Sequence, residues 1–231
     1  MHRPTYQETL KYNLTLAGPE PTFFAQYQSD VIAQWFAHLR AQPITIVDVG
    51  CGDGLLTSFI AAQFHNANVH GVDPSLEHID VARLAYPYLS FDVYSDTLPV
   101  SALGNNVEVL SSYVGLTPFP DACTDLVIMA DTLHHIPAHM QAAKIAEIMR
   151  IVKPGGICCI LEQNPYNPCM RYRFACNRTT MIRPQKLRSL VSHYGTTRMV
   201  FYHFFSALRA YERYVAWLPL GQLYACITIK K

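Results

Sequence analysis

Two hydrophobic periods alternate along this chain. Short β-branched runs bounded by Gly, Pro, Asn or Asp read as buried strands, and longer segments with apolar residues every three or four positions read as helices. The densest run is Ile44–Val49, where five of six residues are β-branched. It breaks into Gly50-Cys51-Gly52-Asp53-Gly54 and then into the periodic segment Leu55–His65. This pattern predicts a buried strand, a tight turn and a helix. Upstream, Phe23, Tyr27, Val31, Trp35 and Leu39 share one face of a predicted helix over about Thr22–Ala41. Downstream the pattern predicts a strand Asn68–Val72 and a helix Leu76–Ala85 with Ser75 as N-cap. A strand Thr124–Ala130 and a helix over about Ala138–Ile151 follow. The turn Lys153-Pro154-Gly155-Gly156 then leads to a strand Ile157–Leu161. The third strand is assigned to Val107–Ser111, with Leu89–Tyr94 as its rival. Near the end come a helix Gln185–Tyr194 closed by Gly195 as C′ glycine, strands Met199–Phe204 and Leu223–Ile229, and a helical stretch Ala207–Trp217 between them. Alternating strand and helix predicts an α/β fold with a doubly wound, mostly parallel sheet.

At 231 residues the chain fits one domain with a full core. Half its residues are apolar and its formal charge is +1, so no single-sign field points to nucleic acid or an anionic membrane. The seven cysteines form no Cys-x-x-Cys pair. That argues against a disulfide framework and a structural zinc site, and for buried thiols in a reducing cytoplasm. The N-terminus lacks a signal-peptide core, and no apolar run nears membrane-spanning length.

Glycines let the turn after Val49 take positive φ and let a ligand approach the backbone. The dinucleotide fingerprint is Gly-x-Gly-x-x-Gly; here the third glycine comes one residue early, and Asp48 sits two residues before the first. An acid there suits a ligand with a cationic ammonium and sulfonium better than a pyrophosphate. This stretch resembles the first motif of class I S-adenosylmethionine-dependent methyltransferases. Asp73, ending Val69-His70-Gly71-Val72-Asp73, matches the family's second acid. Thr117-Pro118-Phe119-Pro120-Asp121, Asp125-Leu126-Val127-Ile128, Leu133-His134-His135-Ile136 and Lys153-Pro154-Gly155-Gly156 extend the resemblance over most of residues 44–162.

The resemblance implies a Rossmann-like class I fold: a mostly parallel seven-stranded sheet with an antiparallel last strand and a helical N-terminal cap. Residues 1–43 would be the cap, 44–162 the cofactor core, 163–184 an insertion and 185–231 the sheet closure. S-adenosylmethionine would be held by Asp48, Gly50, Cys51, Gly52 and Gly54. Asp73 would take the ribose hydroxyls, Tyr113 would lie at the adenine, and Ala130 would offer backbone to the ammonium or sulfonium. Tyr6, Tyr12 or Phe24 of the cap would reach the ligand or pack.

Methyl transfer to a protonated acceptor needs a base, and a neutral His suits it. His135 and His134, just past the strand ending at Ala130, and Glu162, ending the fifth strand, are the catalytic candidates, with His135 ahead. Each also has a structural reading: a helix cap, a packed ring, or an ion pair to an arginine. No Cys/His set is spaced for zinc. Asn164, Tyr166 and Asn167, between stiffening prolines, and Arg171 are acceptor-binding candidates or turn residues. The aromatic arginine-rich stretch Arg171–Arg183 reads as a packed insertion or as a lid over an anionic or lipid-linked acceptor.

Glu162-x-Asn164-Pro165-x-Asn167-Pro168 with Leu218-Pro219-Leu220-Gly221-x-x-Tyr224 resembles a bacterial methyltransferase subfamily associated with polysaccharide and glycolipid biosynthesis. That group has His where this chain has Gln163. The implied activity is methyl transfer to a small-molecule or lipid-linked glycan acceptor, a sugar hydroxyl in particular, in the cytoplasm. Nucleic acid is not an expected partner, and peripheral membrane contact stays open. The alternatives are a cofactor-binding, non-catalytic regulator and a nicotinamide-dependent oxidoreductase.

Overall fold

The computed structural model describes residues 21–94, 117–168, 170, 181–202, 214 and 216–231. The first helix, α1 (Pro21–Trp35), is followed by a 3-10 turn Ala37–Leu39. The alternation then runs β1 (Thr45–Val49), α2 (Leu55–Gln63), β2 (Asn68–Asp73), α3 (Leu76–Ala85), β3 (Ser90–Val93), β4 (Thr124–Ala130), α4 (Gln141–Ile151), β5 (Val152–Gln163), α5 (Pro184–Val191), β6 (Gly195–Tyr202) and β7 (Leu223–Lys230). The strands form a seven-stranded sheet in the order β3-β2-β1-β4-β5-β7-β6. The first five are parallel, and β7 runs antiparallel to both its neighbours. Strand order reverses between β1 and β4, which opens a crevice at their carboxyl ends.

Both faces of the sheet are covered, which is why its strands are nearly continuous apolar runs. On one face α1 and α2 bury Val31, Ile32 and Ile60 against Ile46, Ile128, Cys159 and Leu161. On the other, α4 and α5 bury Ile145, Ile148 and Leu187 against Val47, Val127, Cys158 and Ile160. Ser75 caps α3 by accepting from the His78 amide at 3.3 Å. Cys51, Cys158, Cys159 and Cys226 are buried thiols, and Cys123 is half-buried. Among the described residues no helix is long and apolar enough to cross a membrane.

Three element assignments are corrected. The strand beside β2 is Ser90–Val93, the rival reading; Val107–Ser111 lies outside the described residues. Pairing of β5 begins at Val152, directly after α4 (Thr124↔Val152, then Leu126↔Ile157), so Lys153–Gly156 bulge from a strand already started. Gly195 is not a left-handed helix terminus but the first residue of β6. Its absent side chain is explained instead by β7, since a Cβ there would lie 1.8 Å from the Ile229 carbonyl oxygen.

Candidate active site

The turn between β1 and α2 is built by three left-handed glycines, with φ of +79° at Gly50, +55° at Gly52 and +79° at Gly54. The Gly50 and Cys51 amides both donate to the Val72 carbonyl, at 2.7 and 3.1 Å, which ties the turn to the tip of β2. At Gly50 a Cβ would collide with the Thr132 side chain at 2.3 Å. Thr132 donates to the Ala130 carbonyl at 2.8 Å, so the end of β4 packs down onto the turn. Gly52 differs: a Cβ there would meet nothing within 4 Å. That side of the turn is open.

Asp48 and Asp73 flank this turn with unlike surroundings. Asp48 is 1% exposed and accepts a 2.7 Å hydrogen bond from the Thr57 hydroxyl on α2. Burial pushes its carboxyl up to about 7, against the Thr57 bond, with Asp73 adding to the rise. Asp73 accepts from the Gly52 amide at 3.0 Å and the Ser75 amide at 2.9 Å, with His78 Nδ1 at 3.5 Å. Two backbone donors fix its carboxylate at the end of β2. Burial and these two acids hold the Cys51 thiol neutral, its pKa far above the usual thiol range.

The second part of the site lies past β4. Asp131 takes φ +49°, a left-handed geometry that aspartate tolerates better than most residues. A 3-10 turn, Leu133–His135, follows. It brings His134 Nδ1 to 2.8 Å from Glu162 Oε2, while the His134 amide donates to Glu162 Oε1 at 3.2 Å. Both side chains are nearly enclosed, at 5% and 1% exposure. Burial lowers the His134 pKa, but the Glu162 charge and hydrogen bond outweigh it and the net direction is upward. The His135 ring packs against that of His134, tilted by 42°, with centroids 4.1 Å apart. It lies on the exposed side of the turn, yet the protein around its ring, and then His134, pull its pKa down to about 4. So His134, not the favoured His135, has the carboxylate partner.

Asp131, His134 and Glu162 offer ligand atoms within 4.8 Å of one another, a size that admits a metal ion. Residue spacing does not reveal this set, because β4 and β5 bring it together. The 2.8 Å His134–Glu162 contact has hydrogen-bond length, so a proton fills that edge of the set as well as a cation would.

The candidate acceptor residues separate. Asn164 and Asn167 are 0% and 2% exposed. Asn164 Nδ2 donates to the carbonyls of Pro219 (3.1 Å) and Gly221 (2.6 Å), and Asn167 Nδ2 to that of Leu220 (2.8 Å). Their side-chain oxygens accept from the Tyr166 and Met170 amides. Of the two readings, these asparagines follow the turn-holding one. Tyr166 is exposed and its hydroxyl bonds Gln185. Phe24 packs against the α1-side core. Tyr6, Tyr12, Tyr113 and Arg171 lie outside the described residues. Sequence reasoning missed Gln28 of α1, which donates to Asp131 Oδ2 at 3.0 Å. Its signal was a polar residue inside an apolar helix face.

Residues 47–160 match a family model described as a methyltransferase domain. The chain is 33% identical over 127 residues to an uncharacterized methyltransferase of Schizosaccharomyces pombe, covering 54% of this chain and 42% of that one. It is also 33% identical over 138 residues to a ubiquinone biosynthesis O-methyltransferase of Alkalilimnicola ehrlichii, covering 59% and 48%. It thus spans less than half the length of these two relatives. Among solved structures, a SAM-dependent methyltransferase from Archaeoglobus fulgidus superposes with a TM-score of 0.66 at 13% identity, covering 98% of this chain and 100% of that one. Residues 47–160 are a methyltransferase domain, and the sheet that completes it has the class I S-adenosylmethionine-dependent methyltransferase fold.

Proposed function

We propose that the chain binds S-adenosylmethionine across the glycine turn and transfers its methyl group to a hydroxyl of a small or carrier-linked acceptor. The observation that carries this reading is the Asp73 carboxylate, fixed by the Gly52 and Ser75 amides at the rim of a turn whose outer side is open at Gly52. A fixed acceptor pair there suits the two ribose hydroxyls, and the ionised Asp48 offsets the cofactor's positive charge. Gly50, Cys51 and Gly54 shape the cradle, and Ala130 ends β4 beside it.

When bound, the cofactor supplies a methyl carbon already activated by a positive sulfur, so the protein's task is mainly positioning. Held there, it would supply the methyl carbon to the acceptor oxygen, sulfur keeping the electron pair of the bond that breaks. The hydroxyl proton passes to His134. Glu162 holds the His134 ring by Nδ1, which leaves Nε2 as the proton acceptor. His135 is too weak a base at neutral pH for that role. A sugar hydroxyl, as in glycan or glycolipid synthesis, fits this chemistry.

Thermal melting with S-adenosylmethionine, S-adenosylhomocysteine and NAD(H) tests the reading, because a ligand bound only by the native state raises the midpoint. The first two should raise it and NAD(H) should not. A shift with NAD(H) alone, or with none, overturns it.

A further inference from the structure

The carboxyl edge of the sheet carries two polar groups, one on each face. Glu162 follows Ile160, which faces α4, and it pairs with His134. Gln163 follows Leu161, which faces α1. In register, Gln163 pairs with Leu223 and Leu223 with Tyr202, so Gln163 and Tyr202 lie on one row of the sheet on the α1 side. Gln28 of α1 reaches down to Asp131 at the tip of β4. Four elements therefore converge on the α1 face, and Asp131 joins this group to the His134–Glu162 pair, its carboxylate within 4.8 Å of their ligand atoms.

Three buried polar atoms here have no close hydrogen-bond partner among the described residues: Asp131 Oδ1, Gln163 Oε1 and the Tyr202 hydroxyl, which the Gln28 side chain approaches. Gln163 is 6% and Tyr202 1% exposed. Tyr202 is not loosely placed. Its ring stacks on Tyr27 at 6.2 Å and takes the edge of Trp35 at 5.3 Å. Folded proteins rarely leave buried polar atoms unpaired unless something else pairs with them. Two of the three atoms are oxygens that can only accept, so the missing partner must donate N–H or O–H.

We propose that Gln28, Asp131, Gln163 and Tyr202 form a second acceptor subsite that receives a hydroxyl or ammonium group next to the methylated one. It would select polyols and amino alcohols and reject carboxylates. The inference rests on the methyl-transfer reading above and adds the acceptor's chemistry to it. Charge supports the selection. Burial and the repulsion of Glu162 both act against the Asp131 charge, eased in part by His134 and by hydrogen bonds from Gln28 and Gln163. A ligand carboxylate would add a third negative group; a hydroxyl or ammonium would supply the donor that two oxygens lack.

The test measures binding of methyl β-D-glucopyranoside, ethanolamine and succinate to S-adenosylhomocysteine-saturated protein by ligand-observed NMR. The glucoside or ethanolamine should bind at least about tenfold more tightly than succinate, the scale of one hydrogen bond. Which of the two wins tells a hydroxyl from an ammonium as the donor. Tyr202→Phe and Gln163→Leu should each weaken that binding by about tenfold. Both should leave S-adenosylhomocysteine affinity unchanged, and Tyr202→Phe should melt no lower than wild type. Four results overturn the proposal: equal or tighter binding of succinate; no binding of any probe; loss of S-adenosylhomocysteine affinity in the variants, which gives the subsite to the cofactor; and a lower melting point for Tyr202→Phe with probe binding intact, which gives it to a structural water. EDTA-reversible Mn²⁺ binding that is lost in Asp131→Asn also overturns it, in favour of a cation. Failure of the underlying reading is separate and visible, because the unmodified protein would then not bind S-adenosylhomocysteine.

Discussion

The side-chain amide of Asn164 donates to the backbone carbonyl of Gly221 at 2.6 Å, across 57 residues of chain. With the bonds to Pro219 and Leu220, it makes the Asn-Pro-x-Asn-Pro loop after β5 a clamp on the Leu-Pro-Leu-Gly segment that enters β7. The two motifs that carry the subfamily resemblance are thus two halves of one contact. Asn164→Ala should cost about 2–4 kcal/mol, because buried carbonyls lose their donor. Asn164→Asp should cost more, since a carboxylate would face those carbonyls. Urea unfolding measures both, and an Asp variant as stable as Asn would contradict the clamp.

The acids at the site make stability and cofactor affinity depend on pH with opposite signs. Asp48 and Asp131 are raised from the usual carboxylate value to about 7 and about 6. A raised folded pKa means a contribution that is full below the unfolded value, near 3.8, and lost as pH climbs through the folded one. The ligand-free protein should therefore melt lower at pH 8 than at pH 5. S-adenosylmethionine affinity should rise over pH 6–8, because the cation favours ionised Asp48 and binding releases a proton. Thr57→Val should move that rise to higher pH. Calorimetry in buffers of different ionisation enthalpy reads the proton release, and proton uptake would contradict the assignment.

His134→Gln should lower kcat by about 10²–10⁴-fold on a hydroxyl acceptor, with S-adenosylhomocysteine affinity retained. Because the Glu162 charge and hydrogen bond raise the His134 pKa, Glu162→Gln should move the acidic limb of the kcat/KM profile to lower pH and reduce its plateau. An unmoved limb would show that another group titrates.

Gly52→Ala and Gly50→Ala should fail in different ways. At Gly52 the protein leaves room for a Cβ, so stability should fall only by about 1–2 kcal/mol of left-handed strain. Affinity for S-adenosylhomocysteine should nonetheless drop, because the new methyl stands where the ligand approaches. At Gly50 the collision with Thr132 should unfold or displace the end of β4. Melting curves with and without ligand distinguish the two.

The parallel strands were legible because β1 and β4 are buried on both faces and hence almost uninterrupted apolar runs. β3 was not, since Ser90-Phe91-Asp92-Val93 is a short edge strand with one buried residue. His134 and Glu162 each stood out as polar residues at strand ends. Their pairing did not, because 28 positions separate them and only the β4–β5 register brings them together. Gln28 shows in the sequence only as a polar residue on an apolar helix face, and Tyr202 carries no local signal of chemistry. Each sits where an apolar residue is expected, and only the sheet order shows that both approach Asp131.

β7 lies between β5 and β6 although it follows both in the chain. During synthesis, β6 has no strand to join until residues 223–230 have emerged, and the edge of β5 stays open over the same interval. A nascent chain can assemble the glycine turn and its parallel strands first, but it must hold an unpaired strand until the sheet closes. A slow step at β7 would therefore expose a sticky edge while the cofactor half is already formed. The Asn164–Gly221 contact then ties the segment entering β7 to the end of β5 once that edge is covered.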